Sequence, residues 1–134
     1  NNAAFQAYHR AKMSNIYMMK ELHERLQGQP VCTNAVSPGY FINTTIHRQM
    51  TGIFKFGATI VFGFGTLFNR NTPAKGARSH IWLASSEEAE GLSGKYFEHC
   101  KEKAMGELAH DEGLRRQLWS WSESATGIGF PTAI

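Results

Sequence analysis

The chain has 134 residues, 42% of them hydrophobic, a length and composition that suit one globular domain. Its 14 Lys and Arg against 11 Asp and Glu leave a net charge of +3, scattered without a basic run. That excludes nucleic acid as the main partner, because phosphate binding needs a concentrated basic face, and the two isolated cysteines and six dispersed histidines lead us to expect no disulfide framework and no metal site.

The first predicted element is a helix from Ala4 to Leu26, rich in good helix formers and closed by Gly28 and Pro30. Tyr8, Lys12 and Asn15 fall along one face of it, and Ile16, Met19, Leu22 and Leu26 continue an apolar stripe. The Tyr8-x-x-x-Lys12 spacing is weak alone. Four tyrosines and seven lysines produce about 0.2 such spacings by chance in a chain of this length.

Val31 to Val36 reads as a short buried strand, bounded by Pro30 and by the sharp turn Ser37-Pro38-Gly39. The order helix, turn, strand, glycine-containing loop is half of an α/β unit, in which ligands gather at the carboxyl ends of strands. Thr51 to Asn69 is dense in Phe and Gly. Its uncharged core, Phe56 to Phe68, spans about 13 residues and falls short of the roughly 20 that cross a bilayer. We read residues 45–70 as an apolar lid over a lipophilic substrate. A segment lying in a membrane surface and ordinary core are the other two readings.

A second helix is predicted from Asn71 to Ser85, capped by Thr72 with Pro73 at its first position and burying Ala77, Ile81, Trp82 and Ala84. Gly91 and Gly94 bracket a turn before a strand from Lys95 to Cys100. An amphipathic helix from Asp111 to Thr126 carries Leu114, Leu118, Trp119 and Trp121. The two strands are too few for a free-standing parallel sheet, which is normally covered on both faces and has more members. An exposed apolar sheet edge should make the isolated chain poorly stable, and a sharp cooperative melt of a monomer would contradict that.

Taken together, Tyr8-x-x-x-Lys12 in a helix and Asn34-x-x-x-Pro38-Gly39 at a strand end resemble the short-chain dehydrogenase/reductase family. Leu92-Ser93-Gly94-Lys95-Tyr96-Phe97 and Leu118-Trp119-Ser120-Trp121-Ser122 sharpen the resemblance to its retinol dehydrogenase-like branch, over about residues 5 to 128. The resemblance implies an α/β fold in which residues 1–134 are the C-terminal portion of a single Rossmann-like, doubly wound parallel-sheet domain. Two strands with flanking helices would be present, and the N-terminal dinucleotide-binding half absent.

The chemistry of the pair follows from its groups. Moving a hydride to or from a carbonyl carbon needs a proton to move at the oxygen, and a phenol, with an ordinary pKa near 10, is a poor base at neutral pH. An ammonium one helical turn away favours the phenolate. Tyr8 is therefore the expected general acid/base, with Lys12 tuning it and, as the resemblance implies, bonding the nicotinamide ribose. Pro38 and Gly39 would shape the loop under the nicotinamide of NADP or NAD. Backbone near Phe41 would meet the carboxamide, with Asn43 or Thr44 in the place where the family usually has a Thr.

The glycine-rich phosphate loop, the family's serine and its assisting asparagine have no counterpart here, and the chain does not begin with Met. The expectation is an oxidoreductase for a lipophilic alcohol or carbonyl, present as a partial chain that is inactive alone, in a reducing intracellular compartment. A membrane-surface contact through Phe56–Phe68 and a homodimer through the Tyr8/Lys12 helix are the partner expectations. The alternative is a non-catalytic truncated module that dimerises with a full-length relative.

Overall fold

A computed structural model describes residues 2–39, Gly57, Ile60 and residues 72–131. The chain divides into two compact units. The first comprises Asn1–Ala35, Gly91–Tyr96 and Lys103–Ile134, and the second Val36–Glu90 and Phe97–Glu102.

In the first unit, helix α1 runs Asn2–Arg25, close to the predicted span. Its buried side is set by Tyr17 and Met19, with Glu21 also buried. Ile16, Leu22 and Leu26 of the expected stripe are only half-buried. The Tyr17 hydroxyl donates to the Leu108 carbonyl at 2.9 Å, beside a 3-10 turn at Glu107–His110 that buries Ala109.

The last helix runs Glu112–Thr126. Asp111 caps it by accepting from the Leu114 N–H at 2.9 Å, and Gly127 closes it in the left-handed region at φ 69°. Its inward residues are Arg115 and Trp119, one turn apart. Of the apolar residues this helix carries, Leu114 and Trp121 are 45% and 67% exposed. At about 100° per residue, Trp121 is turned roughly 200° from Trp119 and faces away. A charged side chain can take the inner position at 115 because it is paired. Arg115 Nε lies 2.9 Å from Glu21 Oε2, and its two terminal nitrogens bond the Glu24 carboxylate. Arg25 in turn stacks over the Trp119 ring, 4.6 Å from its centroid.

The predicted strand Val31–Val36 is shorter and later than expected. Strand β1 is Ala35–Ser37 and is half-buried rather than buried, and Val31 is 49% exposed. The residues before it spend their bonding groups on the Gly91–Gly94 turn. The Thr33 N–H donates to Ser93 Oγ at 3.0 Å, and the Thr33 carbonyl accepts from Gly94 at 2.7 Å. The Asn34 amide bridges the Leu92 carbonyl and the Lys95 N–H. This gives Asn34 of the strand-end motif a structural role.

The second unit holds helix α2, Pro73–Ser85, with Thr72 as N-cap accepting from Lys75 N–H and Pro73 at its first position, as predicted. Its inner face is corrected. Gly76 and Ser79 are buried, Ala77 and Trp82 are half-buried, and Ile81 (62%) and Ala84 are exposed. The small residues at 76 and 79 admit close neighbours, and the three-residue step continues to Trp82. Trp82 meets Phe97, 1% exposed and the most deeply buried large side chain among the described residues, at a centroid distance of 5.6 Å. A 3-10 turn at Glu87–Ala89 follows α2.

The strand expected from Lys95 to Cys100 ends at Glu98. Strand β2 is Tyr96–Glu98 and strand β3 is Lys101–Glu102, antiparallel, with Phe97 opposite Glu102 and Glu98 opposite Lys101. His99 (φ 53°) and Cys100 (φ 58°) form a two-residue turn with both residues left-handed, the geometry that matches strand twist. Among the described residues the sheet therefore has three strands, in the order β1-β2-β3, and not the two expected. Its β1–β2 edge is parallel: Thr33 and then Ala35 bond Gly94 and then Lys95 in the same direction. A small mixed sheet with helices is an α/β arrangement compatible with part of a Rossmann-like fold. Of the lid predicted at 45–70, only Gly57 and Ile60, both helical, belong to the described residues. Among the described residues no helix is long and apolar enough to cross a membrane.

Candidate active site

Tyr8 and Lys12 stand one turn apart on α1, and the structure brings them together. Lys12 Nζ lies 5.4 Å from the Tyr8 ring centroid, within cation–π reach. Tyr8 is 50% exposed, and every side chain from Gln6 to Lys12 is exposed, so the phenol and ammonium present themselves on an open helix face. The neighbouring His9 ring meets Tyr8 edge-on, with centroids 5.8 Å apart and planes at 82°.

This helix is fixed further along. The Arg115 ion pairs hold Glu21 and Glu24, and His23 Nδ1 bonds Ser93 Oγ at 2.9 Å. The His23 ring sits so close to Gly94 that a Cβ there would come 2.6 Å from His23 Cδ2. The backbone at Gly94 must stay bare for the turn and helix to approach.

Pro38 and Gly39 follow β1 in the second unit, whereas Tyr8 and Lys12 belong to the first. The loop has the sharp-turn chemistry predicted for it. Gly39 is left-handed at φ 87°, and its N–H donates back to Ser37 Oγ at 3.1 Å. A Cβ at Gly39 would lie 2.7 Å from His99 Cε1, so the imidazole rests against the glycine. Phe41, Asn43 and Thr44 lie outside the described residues.

Two features escaped the sequence reading. The left-handed His99-Cys100 turn carries no glycine or Asn-Gly signal, so nothing local marks it. The Arg115 cluster pairs residues 91 and more positions apart, beyond the reach of any helical spacing rule.

The donor set fits one end of a nicotinamide dinucleotide. A phenol hydroxyl and an ammonium, open on one face and one turn apart, can share the hydroxyls of a ribose. Among the described residues, no glycine-rich turn leads from a strand directly into a helix N-terminus, the usual cradle for the pyrophosphate.

Three comparisons bear on this geometry. The chain is 37% identical over 121 residues to retinol dehydrogenase 14 of Homo sapiens, covering 90% of this chain and 35% of that protein. It is 36% identical over 128 residues to retinol dehydrogenase 13 of Homo sapiens, covering 94% of this chain and 38% of that protein. It is 35% identical over 120 residues to the WW domain-containing oxidoreductase of Homo sapiens, covering 90% of this chain and 28% of that protein. The chain thus spans about a third of the length of these curated relatives. No protein-family model matches it.

Proposed function

From the chain's membership of the short-chain dehydrogenase/reductase family, in its retinol dehydrogenase-like branch, we propose that it carries the proton-transfer part of an NAD(P)(H)-dependent oxidoreductase site. The substrate class is a lipophilic alcohol or its carbonyl. The bound nicotinamide supplies or takes up the hydride. Tyr8 gives a proton to the carbonyl oxygen in reduction and takes it from the alcohol in oxidation. Lys12 holds the phenolate form by its charge and bonds the ribose. Pro38 and Gly39, with Phe41 and Asn43 or Thr44 beyond them, contact the nicotinamide, and NADP is favoured over NAD by the family likeness. The observation that carries the proposal is the Lys12 ammonium over the Tyr8 ring on an exposed helix face.

The proposal places the chain in a reducing intracellular compartment, with residues 45–70 as a substrate lid or Phe56–Phe68 as a membrane-surface contact. On this reading the chain alone turns over nothing, because Tyr8, Lys12 and the Pro38–Gly39 loop would serve only the nicotinamide side of the site. The test is a chimera in which this chain replaces the matching segment of human retinol dehydrogenase 14. The chimera should reduce a retinoid or long-chain aldehyde with NADPH. Tyr8→Phe should lower kcat about 10²–10⁴-fold. A Tyr8→Phe chimera as active as its parent removes the proposed role.

A second reading is a non-catalytic module that dimerises through α1 with a full-length relative. The exposure of α1 from Gln6 to Lys12 favours it. Sedimentation of the chain with such a relative decides: a mixed complex lost on Tyr8→Asp and Lys12→Asp supports the module, and no complex rejects it.

A further inference from the structure

His99 is the third residue of a chain of contacts that ends on the candidate cofactor loop, and it sits there in a backbone conformation its side chain disfavours. Both turn residues, His99 and Cys100, are left-handed at φ 53° and 58°. Non-glycine residues stay in that region only where their surroundings hold them. The holding group is visible at Cys100, whose N–H donates to Ser79 Oγ at 3.0 Å. Ser79 is itself 3% exposed on the inner face of α2. The turn is thus tied to α2, and it presents the His99 ring to Gly39. The ring is not held by core packing, since the side chain is 74% exposed. Its near neighbours are Gly39, at the distance where a Cβ would collide, and the Glu98 carboxylate, 4.0 Å from Nε2.

We infer that His99 is a positioning residue for the Pro38–Gly39 loop: the imidazole is a stop that fixes the loop backbone for the nicotinamide end of the cofactor. The inference rests on the proposed reading of that loop as a cofactor contact. The ring occupies the space a Cβ at 39 would take, and the left-handed backbone there favours glycine as well. A loop fixed before binding loses less freedom when a ligand arrives.

The test uses the ¹⁵N-labelled chain and two variants. His99→Gly relieves the left-handed strain and deletes the ring. His99→Asn keeps a residue that tolerates the left-handed region and also deletes the ring. The probe is reduced nicotinamide mononucleotide, which needs no dinucleotide cradle. The readouts are the Gly39 amide resonance, its hydrogen exchange, the probe's Kd by NMR titration and the melting midpoint. In both variants the Gly39 amide should shift and exchange faster, and the Kd should rise about five- to tenfold. The His99→Gly midpoint should stay level or rise. This opposition of sign separates positioning from mere stabilisation.

An unmoved Gly39 amide in both variants overturns the inference. So does a moved amide with an unchanged Kd. If the wild-type chain does not bind the probe at all, the cofactor reading of the loop fails. The amide resonance then still decides whether His99 sets the loop.

Discussion

Gly39 combines a left-handed backbone with an imidazole at 2.7 Å from where a Cβ would be. Gly39→Ala should therefore cost about 1–2 kcal/mol from the backbone alone, read as a fall in the urea midpoint at constant slope. The His99 ring, which a Cβ at 39 would meet, adds a steric cost to that figure. Arg115 is a residue with no room to move. It is 3% exposed and bound to Glu21 and Glu24. Arg115→Met should cost about 3 kcal/mol, because Glu21 stays buried after losing one of its cations. Arg25, 2.9 Å from Glu21 Oε1, remains and keeps the loss from being larger. Urea unfolding followed by tryptophan fluorescence checks it. Tyr8 and Lys12 could be read from their spacing together with the downstream motifs, because both lie on one continuous helix. Their partners across the fold could not.

The helices and their caps were legible for a local reason: a cap and its target are two to four residues apart. Thr72 with Pro73, and Asp111, mark the starts of α2 and of the last helix by residue type alone. Asp111→Ala should remove the acceptor for the Leu114 N–H and cost about 1 kcal/mol, measurable as a lower thermal midpoint. Which face of each helix turns inward was less legible. In the last helix Trp119 of the apolar set lies inside beside the ion-paired Arg115, whereas Leu114 and Trp121 of the same set are exposed. In α2 the pattern pointed to Ile81 and Ala84, yet Gly76 and Ser79 lie inside. Apolarity marks what can be buried, whereas close approach and charge pairing decide what is. The strands were the least legible. A strand of three residues, such as β1, carries too little alternation to fix its ends, and its neighbours bond side chains of a distant turn.

At the scale of the whole chain, the segment after the last helix folds back on it. The Phe130 N–H donates to Glu123 Oε1 at 2.9 Å, and the Phe130 ring meets Trp119 edge-on at 5.6 Å. The Phe130 N–H is the main reason the Glu123 carboxyl titrates below its ordinary value. A depressed carboxylate binds its proton less readily folded than unfolded. Its stabilising effect is therefore complete above the ordinary carboxylate range and is lost as the pH falls through the lowered folded value. Glu123→Gln should lose this acid-side dependence, with stability differing from wild type near neutrality and converging with it in acid. Melting midpoints across the acid range check this, and parallel curves for the two proteins would reject it.

The sequence by itself determined the helical segments, the sharp turn at Pro38-Gly39, the Tyr8–Lys12 pair and the kinship those residues signal. All of these depend on groups a few positions apart or on motif order. Only the tertiary structure decided the third strand, the left-handed turn at His99 and Cys100, the burial of Arg115 and the rest of His99 against Gly39. Each of those depends on the free energy of groups meeting across long stretches of chain, where desolvation, pairing and steric exclusion outweigh the local preference of any one residue.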